Sequence, residues 1–365
     1  MTTPTDQDLT QALREQLAEA VNARHAVSIH GSGSHDFMLG DFAEAHRLEL
    51  AGHRGILDYQ PTELTLKARA GTPLRVLREA LAEGGQRLAT DFPALSEDAT
   101  LGGALAIGQT GSARPFHGAI RDAVLSVTLL GADGEVLRFG GQVMKNVAGY
   151  DVSRLLCGSR GNLGVMLDIT LKVMPLSETS ITLAFEQDEN SALREMNHLA
   201  GQPLPLSAAI WLDGRLMLRL EGSAAGVEAA AQELLGERDG QRLEPADADA
   251  LWNGINRFSH PFFDGDTPLW RVIVPPATPK LELEGEHRVL TDWCGGLRWL
   301  RADALSEDDF AHVRIAGGYI ESFRGGRRIT PAELMTALQR KLHRRVKKAF
   351  DPLNIFNPAL SKFDD

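Results

Sequence analysis

The chain contains very little cysteine. Among its 365 residues, Cys157 and Cys294 are the only two cysteines, and they are too far apart to form a Cys-x-x-Cys motif. Iron–sulfur clusters need several cysteine ligands, so this chain by itself holds no such cluster. The scarcity also predicts a reducing compartment, because small disulfide-stabilised domains are rich in cysteine.

Long apolar runs and an excess of positive charge are also missing. No stretch approaches the roughly 20 apolar residues of a membrane-spanning helix. The first residues, MTTPTDQDLT, lack the basic and apolar regions of a secretory signal. A net charge of −11 disfavours a nucleic-acid partner. We therefore expect a cytoplasmic protein without a nucleic-acid partner, with the 43% hydrophobic and 24% charged content of an ordinary globular chain.

Helices and strands alternate in the first half of the chain. Leu9, Leu13, Leu17 and Val21 recur every four residues and predict an amphipathic helix over 6–24. The pattern of alternating elements that follows indicates an α+β domain.

After this helix, a short buried strand, AVSIH, leads into the loop GSGSHD of residues 31–36. The alternating segment TELTLKARAG predicts a strand, and a helix follows with Thr72 as N-cap and Pro73 at its first position. Gly84 and Gly85 end that helix. A β-hairpin with an Asp-Gly turn (GADG) and the strand GVMLDITLKVMP complete the predicted domain.

Three parts of the chain follow from the change in composition along the sequence. We predict a first α+β domain over 1–175, a smaller α+β cap domain over 176–345, and a tail over 346–365 that returns to the first domain. Near the cap's end, Thr330 and Glu333 form a capping box with proline between them, which predicts a helix start.

Two glycine-rich loops suit an anion. In HGSGSHD, glycines and serines leave consecutive backbone N–H groups available, although the loop is neither G-x-G-x-x-G nor a P-loop. In TLGGALAIGQTG, Gly102 and Gly103 permit close approach of a ligand and Thr100 supplies a hydroxyl. A plain turn and a tightly packed helix start are the alternatives, but two such loops in one domain favour an extended phosphate-bearing cofactor.

The order of the motifs resembles a known family. HGSGSHDFMLG, ATLGG, GAIRDAVLSVTLLGADGEVLRFGG, VMKNVAGYDVSRLLCGSRGNLGV and FDPLNIFNP occur in the order typical of vanillyl-alcohol-oxidase-type (PCMH-type) FAD flavoproteins. Within them the chain is most similar to the FAD-binding E subunits of glycolate oxidase complexes. The resemblance is strong over 26–175, moderate in the tail and weak over 176–330.

This resemblance implies FAD as the cofactor, bound by a two-part PCMH-type α+β domain over residues 1–175. The loop after the first strand would hold the pyrophosphate, ATLGG would contact the pyrophosphate and flavin edge, and the third glycine segment would close over the cofactor. Two phosphates and a flat ring need backbone donors at one end and side-chain-free surface at the other. The implied cofactor-binding residues are Gly31, Ser32, Gly33, Ser34, His35, Thr100, Gly102, Gly103, Gly149, Gly158, Gly161 and Gly164.

The resemblance also implies a function. The chain would be the FAD-binding subunit of a glycolate oxidase complex that oxidises glycolate to glyoxylate. A second flavin subunit would carry the 2-hydroxy-acid site, and an iron–sulfur subunit would pass electrons on, so that the complex contacts the inner membrane peripherally. Two alternatives stay open: a self-sufficient FAD oxidoreductase of another 2-hydroxy acid or alcohol, and a non-catalytic assembly subunit.

Several residues depart from the family pattern. Asn162 replaces a usual threonine, and His30 stands where an arginine often precedes the loop. His35 resembles the histidine of relatives that attach flavin covalently, with a hydrogen-bonding role as the alternative. The metal-binding histidine cluster of catalytic relatives has no counterpart, because His260 and His312 each lack a neighbouring histidine. We therefore expect no metal and weak glycolate oxidation by the chain alone.

Two questions are left open by the residues themselves. Arg114, His117 and Arg121 are all candidates for contact with a substrate carboxylate or hydroxyl, and the sequence does not choose among them. The basic run RKLHRRVKKAF predicts a solvated helix face, with an acidic partner subunit or a membrane surface as the alternatives.

Overall fold

The computed structural model describes residues 6–39, 45–141 and 150–361. No helix in these ranges is both long and apolar enough to cross a bilayer. The helices are α1 (Thr10–Asn22), α2 (Asp36–Leu39), α3 (Leu74–Glu83), α4 (Leu101–Ile107), α5 (Arg114–His117), α6 (Ile120–Ala123), α7 (Val152–Leu155), α8 (Glu189–Ala200), α9 (Ala224–Glu237), α10 (Pro245–Asn256), α11 (Glu307–Ile315) and α12 (Ala337–Phe350). The strands are β1 (Val27–His30), β2 (His46–Glu49), β3 (Ile56–Gln60), β4 (Thr65–Arg69), β5 (Gln86–Leu88), β6 (Val124–Leu130), β7 (Val136–Gly140), β8 (Val165–Pro175), β9 (Thr179–Glu186), β10 (Leu206–Leu212), β11 (Arg215–Gly222), β12 (Gln241–Arg242), β13 (Leu269–Ile273), β14 (Arg288–Asp292), β15 (Leu297–Arg301) and β16 (Tyr319–Arg324).

The chain divides into two compact units. Unit 1 comprises Met1–Thr110, Ala119–Leu176 and Thr330–Asp365, and unit 2 comprises Gly111–Gly118 and Ser177–Ile329. Unit 1 therefore includes residues 330–345, which the division from sequence assigned to the cap domain.

Unit 1 is built on two sheets. One is the parallel pair β1-β2, and the other is antiparallel with the order β3-β4-β8-β6-β7, to which β5 adds by pairing with β8. Strand β8 is the centre of this sheet because it pairs with β4, β5 and β6, and its residues Ile169, Leu171 and Val173 are fully buried. The predicted hairpin is present as β6-β7, with Gly134 at a φ of 78° in its turn.

Two predicted helix starts differ from the observed ones. Helix α1 begins at Thr10 rather than residue 6, because the backbone of Gln7 pairs with Arg54 and the Asp8 carboxylate accepts from the Thr10 N–H. Helix α3 has Pro73 as its N-cap rather than Thr72. The Thr72 hydroxyl is used elsewhere: it accepts from the Gly55 N–H and donates to the Gly55 carbonyl.

The predicted helix start at Thr330 is also wrong. The hydrogen bonds of that capping box do form between Thr330 and Glu333, but these residues make turns. Helix α12 begins only at Ala337, behind a second capping box of Thr336 and Gln339. Its Val346 and Phe350 side chains pack against the core of unit 1, which explains why this segment belongs there.

Unit 2 is an eight-stranded antiparallel sheet in the order β12-β9-β11-β10-β14-β15-β13-β16. Buried residues of α8 and α9, such as Met196 and Val227, form one core with β9, β10 and β11. The segment before α5 joins this unit because the Ser112 hydroxyl donates to Asp292 and the Trp293 indole N–H donates to the Gly111 carbonyl.

Candidate functional site

A cleft in unit 1 encloses about 750 Å³, part of it open to solvent. Three segments line the cleft: residues 29–36 at the end of β1, residues 99–107 around α4, and residues 160–166 before and at the start of β8. Ile29, Leu50 and Met166 contribute apolar surface to it.

Most of the predicted cofactor-binding residues meet at this cleft, although they come from three distant parts of the sequence. Gly158 does not line it, and Gly149 lies outside the described residues. The predicted residues that line the cleft are Gly31, Ser32, Gly33, Ser34, His35, Thr100, Gly102, Gly103, Gly161 and Gly164.

The loop after β1 is shaped by a close approach and by a buried histidine. A side chain on Gly31 would place its Cβ 2.4 Å from the Thr100 Oγ1, so only glycine allows this contact. The imidazole of His30 lies between Ser28, 2.9 Å from Nε2, and Asp36, 3.0 Å from Nδ1. These contacts hold both ends of the loop.

This loop also carries the hydrogen-bond donors that a phosphate needs. Among the described residues, the backbone N–H groups of residues 31–34 donate to no protein acceptor. Ser32 is exposed, and Gly31, Gly33 and Ser34 are half-buried, so these N–H groups are accessible to a ligand in the cleft. The loop therefore has the donor set of an anion site.

The start of α4 has its N–H groups already occupied. Leu101 donates to the Thr72 carbonyl at 2.9 Å, Gly102 donates to the Ala70 carbonyl at 2.7 Å, and Gly103 donates to the Thr100 hydroxyl at 3.1 Å. This segment therefore presents backbone surface and the remaining Thr100 O–H to the cleft, whereas the sequence led us to expect backbone contacts to pyrophosphate from both loops.

The third segment is fixed by backbone packing. Gly158 donates to the Leu105 carbonyl, and a Cβ on Gly108 would lie 2.9 Å from the Gly158 Cα. Gly158 thus fixes the turn against the end of α4 rather than facing the cleft. Arg160 and Gly161 are the residues of this turn that line it, and Gly161 has a φ of 70°.

The C-terminal tail supports two sides of the cleft. The Asn357 side chain accepts from the Ile29 N–H at 3.3 Å and donates to the Arg160 carbonyl at 2.6 Å. The Val27 N–H also donates to the Ile355 carbonyl. Sequence reasoning missed Asn357 and Arg160. The FDPLNIFNP motif could have pointed to Asn357. No signal in the sequence pointed to the turn of Arg160, which has a positive φ.

Burial controls the charge of His35. It lowers the pKa of His35 to about 4, although the neighbouring Asp36 carboxylate acts in the opposite direction. The imidazole is therefore neutral at pH 7. It lies 3.1 Å from the Ser34 hydroxyl, and its ring stacks at 6.4 Å from that of Phe37, so it can exchange hydrogen bonds in the cleft but adds no positive charge there.

The other candidate residues lie elsewhere. In the described parts of the chain no three His, Cys, Asp or Glu side chains converge as metal ligands. The His260 Nδ1 accepts from the Phe262 N–H. Arg114 and His117 belong to α5 of unit 2, where the Arg114 guanidinium stacks 4.2 Å from the centre of the Trp293 ring, and Arg121 belongs to α6 of unit 1. The structure thus gives Arg114 a packing role.

Comparison with known proteins identifies the cofactor. Residues 8–140 match the FAD binding domain family. The chain is 40% identical over 355 residues to glycolate oxidase subunit GlcE of Escherichia coli (strain K12). This alignment covers 96% of this chain and 97% of that protein. It is 29% identical over 188 residues to glycolate oxidase subunit GlcD of Bacillus subtilis (strain 168), which covers 51% of this chain and 40% of that protein.

A solved structure shows the same fold. Alkyldihydroxyacetonephosphate synthase superposes with a TM-score of 0.67 at 14% identity, covering 95% of this chain and 75% of that one. The predicted α+β, PCMH-type fold and the FAD cofactor are confirmed. The open N–H donors of the first loop and the apolar inner walls of the cleft both fit FAD.

Proposed function

This chain belongs to the family of the glycolate oxidase subunit GlcE, and on that premise we propose that it is the FAD-binding subunit of a complex that oxidises glycolate to glyoxylate. The observation that carries the proposal is the cleft of unit 1, in which most of the family's cofactor motifs meet around free N–H donors. When bound there, FAD would supply two-electron redox chemistry to the complex.

The residues of this chain bind and orient the cofactor. Ser32, Ser34 and the N–H groups of residues 31–34 face the anionic part, while Ile29, Leu50 and Met166 exclude water from the rest of the cleft. His35, neutral at pH 7, has one ring nitrogen that donates and one that accepts a hydrogen bond, and it adds no positive charge.

The partner in this proposal is a second flavin subunit similar to GlcD, since both E- and D-type glycolate oxidase subunits are similar to this chain. We assign the 2-hydroxy-acid site to that partner, because the described part of unit 2 brings no metal-ligand cluster together. An iron–sulfur subunit completes the proposed complex, since Cys157 and Cys294 cannot hold a cluster. The proposed location is the cytoplasm, with electrons delivered at the inner membrane.

The visible spectrum of the purified chain tests this division of labour. We expect a flavin spectrum that stays oxidised when glycolate is added without oxygen, and that bleaches once the partner subunits are added.

Two outcomes would contradict the proposal. Bleaching by glycolate in the absence of partners would show that this chain has its own hydroxy-acid site and is self-sufficient. A folded chain that remains colourless after incubation with FAD would favour an assembly role without cofactor. Acid precipitation tests for a covalent bond between His35 and the flavin. If all flavin stays in the supernatant, His35 makes no such bond.

A further inference from the structure

Arg160 occupies a backbone position that favours glycine. Its φ is 52°, and it lies between Gly158 at 83° and Gly161 at 70° in the same turn. An arginine is strained in this left-handed region, whereas glycine is not. Because this conformation costs free energy in an arginine, we ask what its side chain contributes to the cleft.

The backbone of Arg160 is held on both sides. Its N–H donates to the Ala106 carbonyl at 2.8 Å, near the end of α4, and its carbonyl accepts from the Asn357 side chain at 2.6 Å. The turn is therefore fixed against two other elements of unit 1. Arg160 is half-buried, and it lines the same cleft as the loop of residues 31–34.

The charges around the cleft make Arg160 distinctive. The described residues that line it include four with ionisable side chains: His30, His35, Asp36 and Arg160. The carboxylate of Asp36 lies 3.0 Å from the imidazole of His30 and 3.7 Å from the guanidinium of Arg47, which is not one of the lining residues. Burial keeps His35 neutral at pH 7. Arg160 is thus the one lining residue with a permanent positive charge.

We infer that Arg160 binds a phosphate of the FAD diphosphate and makes the cleft selective for flavins that carry a diphosphate. FAD brings two negative charges into a largely apolar cleft, where backbone N–H groups supply only partial charges. A guanidinium matches phosphate oxygens with two parallel hydrogen bonds, which a neutral donor cannot reproduce. The inference rests on the binding of FAD by this family.

The variant that tests it is Arg160→Gly, because glycine removes the guanidinium and also suits the observed φ. We expect the thermal midpoint of the flavin-free full chain to stay equal or rise. The dissociation constants of ADP and of FAD should increase roughly ten- to hundredfold, since hydrogen bonds to charged groups have this effect. The dissociation constant of riboflavin, which has no phosphate, should not change.

Isothermal titration calorimetry measures these dissociation constants, and two further variants complete the set. Arg160→Lys keeps the charge without the planar fork and should give an intermediate affinity for ADP. Arg154→Gln is the control: Arg154 is exposed on α7, pairs with Asp151 at 3.1 Å and does not line the cleft, so ADP should bind it as it binds the wild type.

The outcomes separate this inference from the function. If the wild type binds FAD and Arg160→Gly binds ADP equally well, the role of Arg160 is refuted and the cofactor function stands. If Arg160→Gly loses ADP and riboflavin equally, the arginine acts only on the shape of the cleft, and the inference is again refuted. If the wild type binds neither FAD nor ADP, both the function and the inference are refuted.

Discussion

Replacing Lys347 by methionine is expected to destabilise unit 1 strongly, although Lys347 belongs to a run of basic residues that resembles a solvated helix face. Lys347 is only 6% exposed. The ammonium donates to the Asn162 carbonyl at 2.7 Å, the Phe356 carbonyl at 2.7 Å and the Asp351 carboxylate at 2.6 Å. Burial lowers the pKa of Lys347, and the Asp351 carboxylate opposes that effect.

The magnitude follows from what the substitution leaves behind. Methionine retains the apolar stem, but Asp351, 1% exposed, loses its cation. Among the described residues, the N–H groups of Ile355 and Phe356 still donate to it. Removing one partner of a buried ion pair costs about 3–5 kcal/mol. Because two backbone donors remain, we expect a loss near the lower end, about 3 kcal/mol. For a domain of about 150–250 residues this lowers the melting temperature by roughly 6–12 °C.

The assay is calorimetric melting of the flavin-free chain, with Lys348→Met as the matched control. Lys348 is the next residue of α12 and is exposed, so its substitution should change stability by less than about 0.5 kcal/mol. Adding Asp351→Asn to Lys347→Met removes the uncompensated charge and should recover part of the loss. A Lys347→Met chain that melts within 2 °C of the control would refute the reasoning.

Three further predictions concern the cleft. Gly31→Ala places a Cβ 2.4 Å from Thr100 Oγ1 and should weaken FAD binding roughly tenfold or more in fluorescence titration. Gly236→Ala, which has open space around its Cβ, should leave FAD binding unchanged. Equal FAD affinities of the two variants would contradict the close approach. Thr100→Ala removes the side-chain acceptor of the Gly103 N–H and should lower stability by about 1 kcal/mol in denaturant unfolding, while Thr100→Ser should not; equal losses would argue against the cap. The pKa of His35 is about 4 in the folded chain and about 6.5 in the unfolded chain. Its contribution to stability is therefore complete above pH 6.5 and is lost as the pH falls towards 4. His35→Gln should remove this part of the acid destabilisation in melting curves, and an unchanged pH profile would contradict the assignment.

Local signals in the sequence predicted several elements because the residues that determine them are neighbours. The Asp133-Gly134 turn specifies its hairpin through the positive φ of Gly134, and the apolar run of β8 predicts a buried strand. Helix starts were less predictable. Thr72 has the right side chain for an N-cap, yet Gly55, 17 residues earlier, takes its hydroxyl.

The basic run of α12 shows the same limit. By its composition the run predicts a solvated face, and Lys341, Arg344 and Arg345 are indeed exposed. Lys347 is not, because the chain turns back after α12 and brings Asp351 to its ammonium. Periodicity alone does not reveal such a contact.

The sequence by itself determined the family, the cofactor class and the three segments that form the cleft, since the glycine and serine motifs needed for an anion and a flat ring are local patterns. Only the tertiary structure decided which of these motifs still has donors to offer. The N–H groups at the start of α4 are taken by Ala70, Thr72 and Thr100, whereas those of residues 31–34 remain open among the described residues. A hydrogen bond needs both partners in place, and those partners come from segments distant in the sequence.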